Sequence, residues 1–262
     1  MSLVTLEFDA ASGIAWIAVN RPQVLNAIDI PLARALSDCI LPLANDPRVR
    51  CVVLRGCGPA FMAGGDVSRF AEDFDKAEAV VDELLGFLNP VIETLRTIHA
   101  PVLAAVHGAI AGAGLAFVSA CDVVVAADST KFLMAYDRVG AAPDCGATYF
   151  LPRILGVRRA AQLMLLSETL SAAEAKEIGL VNFLVPEEAL AERADALARQ
   201  LAAGPTQAYG QYKQLVRNTF ASSLHDQLEA ERVAFRAAAR TADFREGVSA
   251  FLVRRRAGFE GK

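Results

Sequence analysis

The chain has 262 residues, of which 54% are hydrophobic and 21% are charged. This composition excludes a disordered chain, a collagen and a small disulfide scaffold. The 26 basic and 30 acidic residues give a net charge of −4, which argues against a nucleic-acid partner. The cysteines form no CxxC pair, which indicates buried thiols in a reducing, cytoplasmic compartment and no metal site; they are Cys39, Cys51, Cys57, Cys121 and Cys145.

The first half of the chain alternates between strand and helix patterns. Apolar runs at 3–8 and 14–19 predict a hairpin. Strands are further predicted at 51–55, 102–106 and 123–127, and helices at 31–44, 76–98 and 113–121. Strands that alternate with helices favour an α/β fold with largely parallel pairing.

Beyond residue 155 helical patterns dominate. Ser171 and Glu174 have capping-box spacing, and Gly179 marks the end of that helix. A last strand is predicted at 182–185, followed by helices at 186–203, 206–220, 222–240 and 242–256. We therefore expect an α/β body over 1–195 and a helical region over 196–262. Such a region must bury its apolar faces on the body or on another subunit.

An uncharged stretch runs from Thr97 to Cys121. It is long enough to span a bilayer, but Pro101, Gly108 and Gly112 divide it into short pieces. It is therefore predicted as a buried strand, a turn and a buried helix, and no membrane partner is expected.

Two turns rich in small residues follow predicted strands, one at 60–67 and one at 108–115. Strand-to-helix turns of this kind leave backbone N–H groups unpaired and allow a ligand to approach. Either turn alone is equally consistent with tight packing. If the turns converge, their N–H groups can hold a polarised carbonyl oxygen. The second turn lacks the remaining features of a dinucleotide fingerprint.

Six motifs occur in order along the chain. They are Asn20-Arg-Pro-x-x-x-Asn-Ala27, Ala60-Phe-x-Ala-Gly-Gly-Asp66, Ala100-Pro-Val-x-Ala-Ala-Val-His-Gly108, the glycine turn with Cys121-Asp122, Leu151-Pro-Arg153 and Leu170-Ser-Ala-x-Glu-Ala-x-x-Ile-Gly-Leu-Val181. This series resembles the crotonase (enoyl-CoA hydratase/isomerase) superfamily over nearly the whole chain. The resemblance implies a spiral of ββα units with a C-terminal helical trimerisation region, assembled as a homotrimer or hexamer.

The resemblance also implies an acyl-CoA thioester substrate, with coenzyme A as part of that substrate and no separate cofactor. The backbone N–H groups of Ala63 and Ala113 would form an oxyanion hole for a thioester enolate. The residues expected to contact substrate or CoA are Val24, Leu25, Ala63, Gly64, Gly65, Asp66, Gly112, Ala113 and Tyr136. Arg254–Arg256 are consistent either with a helix-dipole interaction or with contacts to CoA phosphates.

The chain departs from the hydratase pattern at both catalytic glutamates. By alignment on the second turn these positions hold Ala116 and Tyr136. A methyl group accepts no proton, and a phenol with a pKa of about 10 is a poor base at neutral pH. Ordinary 2-enoyl-CoA hydration is therefore disfavoured.

Asp144 lies before a predicted helix in the sequence Ala142-Pro-Asp-Cys-Gly. Spacing alone suggests that it caps this helix. The context resembles isomerases of the superfamily with a single acidic residue, such as ring-opening phenylacetyl-CoA epoxide isomerases, in which this residue shuttles a proton. The expected activity is acyl-CoA isomerisation with Asp144 as acid and base.

Several alternatives remain open from the sequence. A 4-chlorobenzoyl-CoA dehalogenase would use the aspartate as a nucleophile but has a tryptophan where this chain has Tyr136. A 3-hydroxyisobutyryl-CoA hydrolase needs a glutamate at that position. A CoA-binding member without catalysis is a further class. RNA binding is disfavoured, because the chain has no lysine-rich run.

Overall fold

The computed structural model describes residues 2–262. Its strands are β1 (Val4–Asp9), β2 (Ile14–Val19), β3 (Cys51–Gly56), β4 (Val102–Val106), β5 (Ala109–Ala111), β6 (Val123–Ala127), β7 (Lys131–Leu133), β8 (Thr169–Ser171) and β9 (Phe183–Val185). Its helices are α1 (Ile30–Ile40), α2 (Ser68–Ala71), α3 (Ala77–Thr97), α4 (Ala113–Ala120), α5 (Ala147–Leu155), α6 (Val157–Leu165), α7 (Ala172–Glu177), α8 (Leu190–Ala202), α9 (Thr206–Asn218), α10 (Leu224–Ala238) and α11 (Ala242–Leu252).

A six-stranded sheet with the order β1-β2-β3-β4-β6-β9 forms the centre of the fold. The β1–β2 hairpin is antiparallel and the other pairs are parallel, as predicted. Both faces of the inner strands are buried, because alternate residues point into different cores. Val52 and Leu54 face the core that includes α1, α3 and α4, whereas Cys51 and Val53 face α8.

A second sheet of three short strands, with the order β5-β7-β8, was not predicted. Strand β5 lies within the second glycine turn and pairs in parallel with β7, which pairs antiparallel with β8. The predicted capping box on Ser171 and Glu174 is confirmed at the start of α7. The predicted division between residues 195 and 196 falls inside α8, which packs on the large sheet as one helix.

The C-terminal helices are joined to the body by a buried ion pair. Lys213 on α9 is 4% exposed and donates to the Leu95 and Ala100 carbonyls at 3.0 and 3.2 Å and to Asp122 Oδ2 at 2.6 Å. Burial lowers the pKa of Lys213, and Asp122 opposes this shift. Because every donor of the ammonium group has an acceptor, the lysine stabilises the junction between α9 and the body.

Large apolar side chains remain exposed on the C-terminal helices, in the connection between α9 and α10, and just after α11. They include Tyr212, Val216, Phe220, Leu224, Leu228, Val233, Phe235, Val248, Phe251, Leu252 and Val253. Among the described residues, no helix is both long and apolar enough to cross a bilayer. The stretch from Thr97 to Cys121 contains β4, β5 and α4 instead.

Candidate active site

The two glycine-rich turns lie side by side. The Phe61 N–H donates to the His107 carbonyl at 2.9 Å, and the Ala111 N–H donates to the Met62 carbonyl at 3.2 Å. A Cβ atom placed on Gly114 would lie 2.2 Å from the Met62 carbonyl oxygen. Because only glycine permits this approach, position 114 controls the distance between the turns.

The free backbone donors differ in part from the predicted pair. The Ala63 N–H donates to the Leu25 carbonyl at 3.0 Å, which argues against its predicted role as an oxyanion donor. Within residues 2–262 the Gly65 N–H has no acceptor, and a Cβ on Gly65 would meet no atom within 4 Å. The Ala113 N–H lies in the first turn of α4, where helical N–H groups have no intrahelical acceptor.

Asn26 fixes the backbone of the first turn. It is fully buried and adopts a left-handed conformation with a φ of 58°, which asparagine tolerates better than most residues. Its side chain accepts from the Arg21 N–H at 2.7 Å and donates to the carbonyls of Cys57, Ala60 and Phe61. Asn26 belongs to the motif Asn20–Ala27, from which no role for this side chain was evident.

Arg21 and Asp66 form an internal ion pair beside the same turn. Arg21 Nη1 lies 2.7 Å from Asp66 Oδ2, and Nη2 lies 3.1 Å from Asp29 Oδ2. Burial raises the pKa of Asp66, but hydrogen bonds from Ser68 and Arg21 outweigh it and hold that pKa below its usual value. Asp66, predicted to contact CoA, therefore already has partners within the chain.

Tyr136 connects the second turn to Asp144. Its ring packs near Gly112, since a Cβ on this glycine would lie 3.8 Å from Tyr136 Cζ. Its hydroxyl donates to Asp144 Oδ1 at 2.5 Å. Burial, followed by the charge of Asp144, raises the pKa of Tyr136. The phenol is therefore a neutral donor and not a base.

Asp144 itself is half-buried. Its side chain makes no capping hydrogen bond to α5, although its backbone carbonyl accepts from the Ala147 N–H at 2.9 Å. Within residues 2–262, the Tyr136 bond to Oδ1 is the one hydrogen bond of normal geometry to this carboxylate, and the weakly donating Cys145 thiol lies beside it. One carboxylate oxygen is thus held by Tyr136 and the other is free for a ligand.

The remaining candidate residues do not take part in the hydrogen bond between Tyr136 and Asp144. Val24 and Leu25 are exposed at the end of a 3-10 turn. Ala116 is fully buried on α4. Burial and the adjacent Asp144 raise the pKa of the Cys145 thiol, so that it is a poor nucleophile. Arg255 pairs with Glu246. Within residues 2–262, no cluster of His, Cys, Asp and Glu side chains is suited to a metal ion.

Comparison with known proteins identifies the family of the chain. The family model described as enoyl-CoA hydratase/isomerase matches residues 9–262. This chain belongs to the enoyl-CoA hydratase/isomerase family. The chain is 40% identical over 251 residues to 1,2-epoxyphenylacetyl-CoA isomerase of Escherichia coli (strain K12), with 95% of this chain and 96% of that protein covered.

Members of the family with other activities are also similar. A 4-chlorobenzoyl coenzyme A dehalogenase-2 of Arthrobacter sp is 33% identical over 229 residues, which cover 86% of this chain and 82% of that protein. The crystal structure of an enoyl-CoA hydratase from Polaromonas sp. JS666 has a TM-score of 0.92 and 31% identity, with 98% of this chain and 99% of that chain covered. The crotonase-type fold expected from the motifs is thereby confirmed.

Proposed function

We propose that the protein is an acyl-CoA isomerase that moves a double bond, or opens a ring, through a thioester enolate. The proposal rests above all on the Asp144 carboxylate, which accepts a hydrogen bond from Tyr136 beside Gly112 of the second glycine turn. The two glutamate positions of family hydratases hold Ala116 and Tyr136, which disfavours water addition. The similarity to an isomerase over 95% of the chain supports the same reading.

In this mechanism the thioester oxygen accepts hydrogen bonds from the N–H groups of Gly65 and Ala113. Gly65 replaces Ala63 as the first donor, because the Ala63 N–H already has the Leu25 carbonyl as its acceptor. The backbone donors stabilise negative charge as it develops on the oxygen. CoA itself remains part of the substrate, and we propose no separate cofactor.

Asp144 Oδ2 then moves one proton. With a 3-enoyl-CoA, Oδ2 takes a proton from C2, and the electrons of the broken C–H bond move into the enolate and its conjugated double bond. The same oxygen returns the proton to C4, the thioester carbonyl re-forms, and a 2-enoyl-CoA results. One carboxylate suffices, because it ends the cycle in the protonation state in which it began.

The test is a double-bond shift assay on 3-enoyl-CoA substrates with Asp144→Asn. We expect a loss of at least about 100-fold in kcat, as is typical for a missing general base. Asp137→Asn, which changes an exposed carboxylate nearby, serves as the matched control and should retain wild-type kcat. Equal rates for wild type and Asp144→Asn would refute the role of Asp144. Efficient 2-enoyl-CoA hydration by the variant would refute the isomerase assignment.

A dehalogenase is the second candidate, favoured by the similarity to the Arthrobacter protein and by the hydrogen-bonded aspartate. In that reaction Asp144 would attack an aromatic ring carbon and chloride would leave. Chloride release from 4-chlorobenzoyl-CoA, without any shift activity on 3-enoyl-CoA, would favour it. A panel of straight-chain, branched and aromatic acyl-CoAs identifies the acyl group.

We also propose that a homotrimer, or a hexamer, covers the exposed apolar side chains of the C-terminal helices. Phe251, Leu252 and Val253 are all more than two-thirds exposed in the single chain, and such surfaces mark interfaces between proteins. Light scattering should give three or six times the chain mass of 27.9 kDa. Phe251→Asp should lower this mass, and a monomeric wild-type protein would refute the assembly.

A further inference from the structure

We propose that Tyr136 is a positioning residue that makes one oxygen of Asp144 the sole carrier of the transferred proton. The inference deepens the proposed isomerase function and rests on it. It starts from the hydrogen bond of 2.5 Å between the Tyr136 hydroxyl and Asp144 Oδ1. From the sequence, Tyr136 was expected as a substrate contact at a position where family hydratases have a glutamate and dehalogenases a tryptophan, with no role toward Asp144.

Tyr136 is held at both ends. Its backbone carbonyl accepts from the N–H groups of Val139 and Ala141 at 3.2 and 2.9 Å, while its ring lies against Gly112 and is 8% exposed. The backbone is thereby fixed and the side chain is enclosed, and in this conformation the hydroxyl reaches Asp144 Oδ1. It fixes the carboxylate relative to the turn that carries the Ala113 N–H.

The hydrogen bond makes the two oxygens of Asp144 inequivalent. Oδ1 accepts a strong hydrogen bond from the phenol, whereas the only other side-chain donor recorded at this carboxylate within residues 2–262 is the weak Cys145 thiol. A carboxylate without such a tether can rotate about its Cβ–Cγ bond and present either oxygen. With Oδ1 held, the proton taken from C2 stays on Oδ2, beside the substrate, until C4 receives it.

The neutral state of the phenol is part of this role. Burial raises the pKa of Tyr136, so the hydroxyl stays protonated. It therefore donates a hydrogen bond to Oδ1 both before and after the proton moves between C2 and C4. The charged or titratable neighbours of Asp144 in this segment are the Tyr136 phenol and the Cys145 thiol, whose pKa is also raised by burial. Neither is positioned as a base in competition with Oδ2.

The experiment follows an isotope through the reaction. A 3-enoyl-CoA deuterated at C2 is converted in ordinary water under single-turnover conditions, and deuterium at C4 of the product is measured by NMR. Wild type should return most of the label to C4 of the same molecule. Tyr136→Phe should return clearly less, because a rotating carboxyl group exchanges its proton with solvent.

The Tyr136→Phe substitution should change kcat much more than KM. We expect Tyr136→Phe to lower kcat about 10- to 100-fold, which is the loss typical of one hydrogen bond to a charged group. KM should change by less than about two-fold, because the hydroxyl that is removed donates to Asp144 and the ring stays in place. Tyr149→Phe, which removes the hydroxyl that donates to the Arg217 carbonyl on the surface, is the matched control and should change neither quantity. Circular dichroism verifies that both variants are folded.

Two results would overturn the inference. If Tyr136→Phe returned as much deuterium to C4 as wild type, the hydrogen bond from Tyr136 would not determine which oxygen of Asp144 carries the proton. A loss as complete as that of Asp144→Asn would make Tyr136 itself a proton carrier. If Asp144→Asn keeps wild-type shift activity, the proposed function fails instead, so the two failures are distinguishable.

Discussion

The contact between Gly114 and Met62 predicts a large effect of a single methyl group. A Cβ at position 114 would lie 2.2 Å from the Met62 carbonyl oxygen and 3.0 Å from its carbonyl carbon. Ordinary contact begins near 3.4 Å, so Gly114→Ala must separate the two turns by about 1 Å. Such overpacking costs about 1–3 kcal/mol, whereas the helix propensity of alanine returns about 1 kcal/mol at most.

The expected net change is a loss of about 1–2 kcal/mol in the free energy of unfolding, measured by urea denaturation with circular dichroism. The Ala113 N–H next to the substitution moves with the turn. Because a displacement of about 1 Å at a catalytic centre can cost about 100-fold in rate, kcat in the 3-enoyl-CoA shift assay should fall by about that factor.

Gly86→Ala is the matched control for this substitution. Gly86 lies on α3, where a Cβ would meet no atom within 4 Å; alanine there should raise the free energy of unfolding by about 0.5–1 kcal/mol. A Gly114→Ala variant with wild-type stability and wild-type kcat would refute the close packing of the two turns and the role of their spacing.

Three further changes test other parts of the structure. Gly65→Ala should leave the free energy of unfolding within about 0.5 kcal/mol of wild type and should keep its turnover in the shift assay, because the methyl enters open space and alanine retains the backbone N–H; a large loss of stability would contradict the open space at this position. Lys213→Met should lower the free energy of unfolding by about 3 kcal/mol in urea, because it removes the closest and most buried partner of Asp122 and leaves only Arg96 at 3.4 Å and the Val102 N–H at 2.9 Å; a loss below about 1 kcal/mol would contradict this. Hydrogen bonds from Arg255 and the Gly258 N–H hold the pKa of Glu246 at about 2, below the ordinary 4.5, so its stabilising contribution is complete above about pH 4.5 and is lost as pH falls through about 2. The protection factor of the Gly258 amide, which is the ratio of its intrinsic to its observed exchange rate, should fall over that range, and Glu246→Gln should abolish this change in protection.

The large sheet was predictable because its strands are strongly patterned. Strands β3, β4 and β6 are apolar runs buried on both faces, and each ends within one residue of its predicted bounds. Strands β5, β7 and β8 have three residues each, too few to show a period. Their pairing partners are also far apart in the chain, so no local pattern reports the second sheet.

The site was predictable in its residues more than in its geometry. Asp144 and Tyr136 were both singled out, but their hydrogen bond depends on the intervening turn, in which Gly140 has a φ of 69°. The difference between the predicted oxyanion donor, Ala63, and the proposed donor, Gly65, also depends on the backbone conformation of a turn. Gly64 turns the backbone with a φ of 92°, so N–H groups two residues apart face different surroundings.

The site has two structurally separate parts, the paired glycine turns that bind the carbonyl and the segment that carries the acid. Hydrogen bonds join the two glycine turns to each other, whereas the acid lies on a separate segment and is hydrogen-bonded to Tyr136, whose ring lies near Gly112 of the second turn. Substitutions between Tyr136 and Asp144 therefore change the acid while the contacts between the two carbonyl-binding turns stay intact, whereas a change to hydration would also need a carboxylate at Ala116 on α4. Engineering of new thioester reactions should begin in that nine-residue loop.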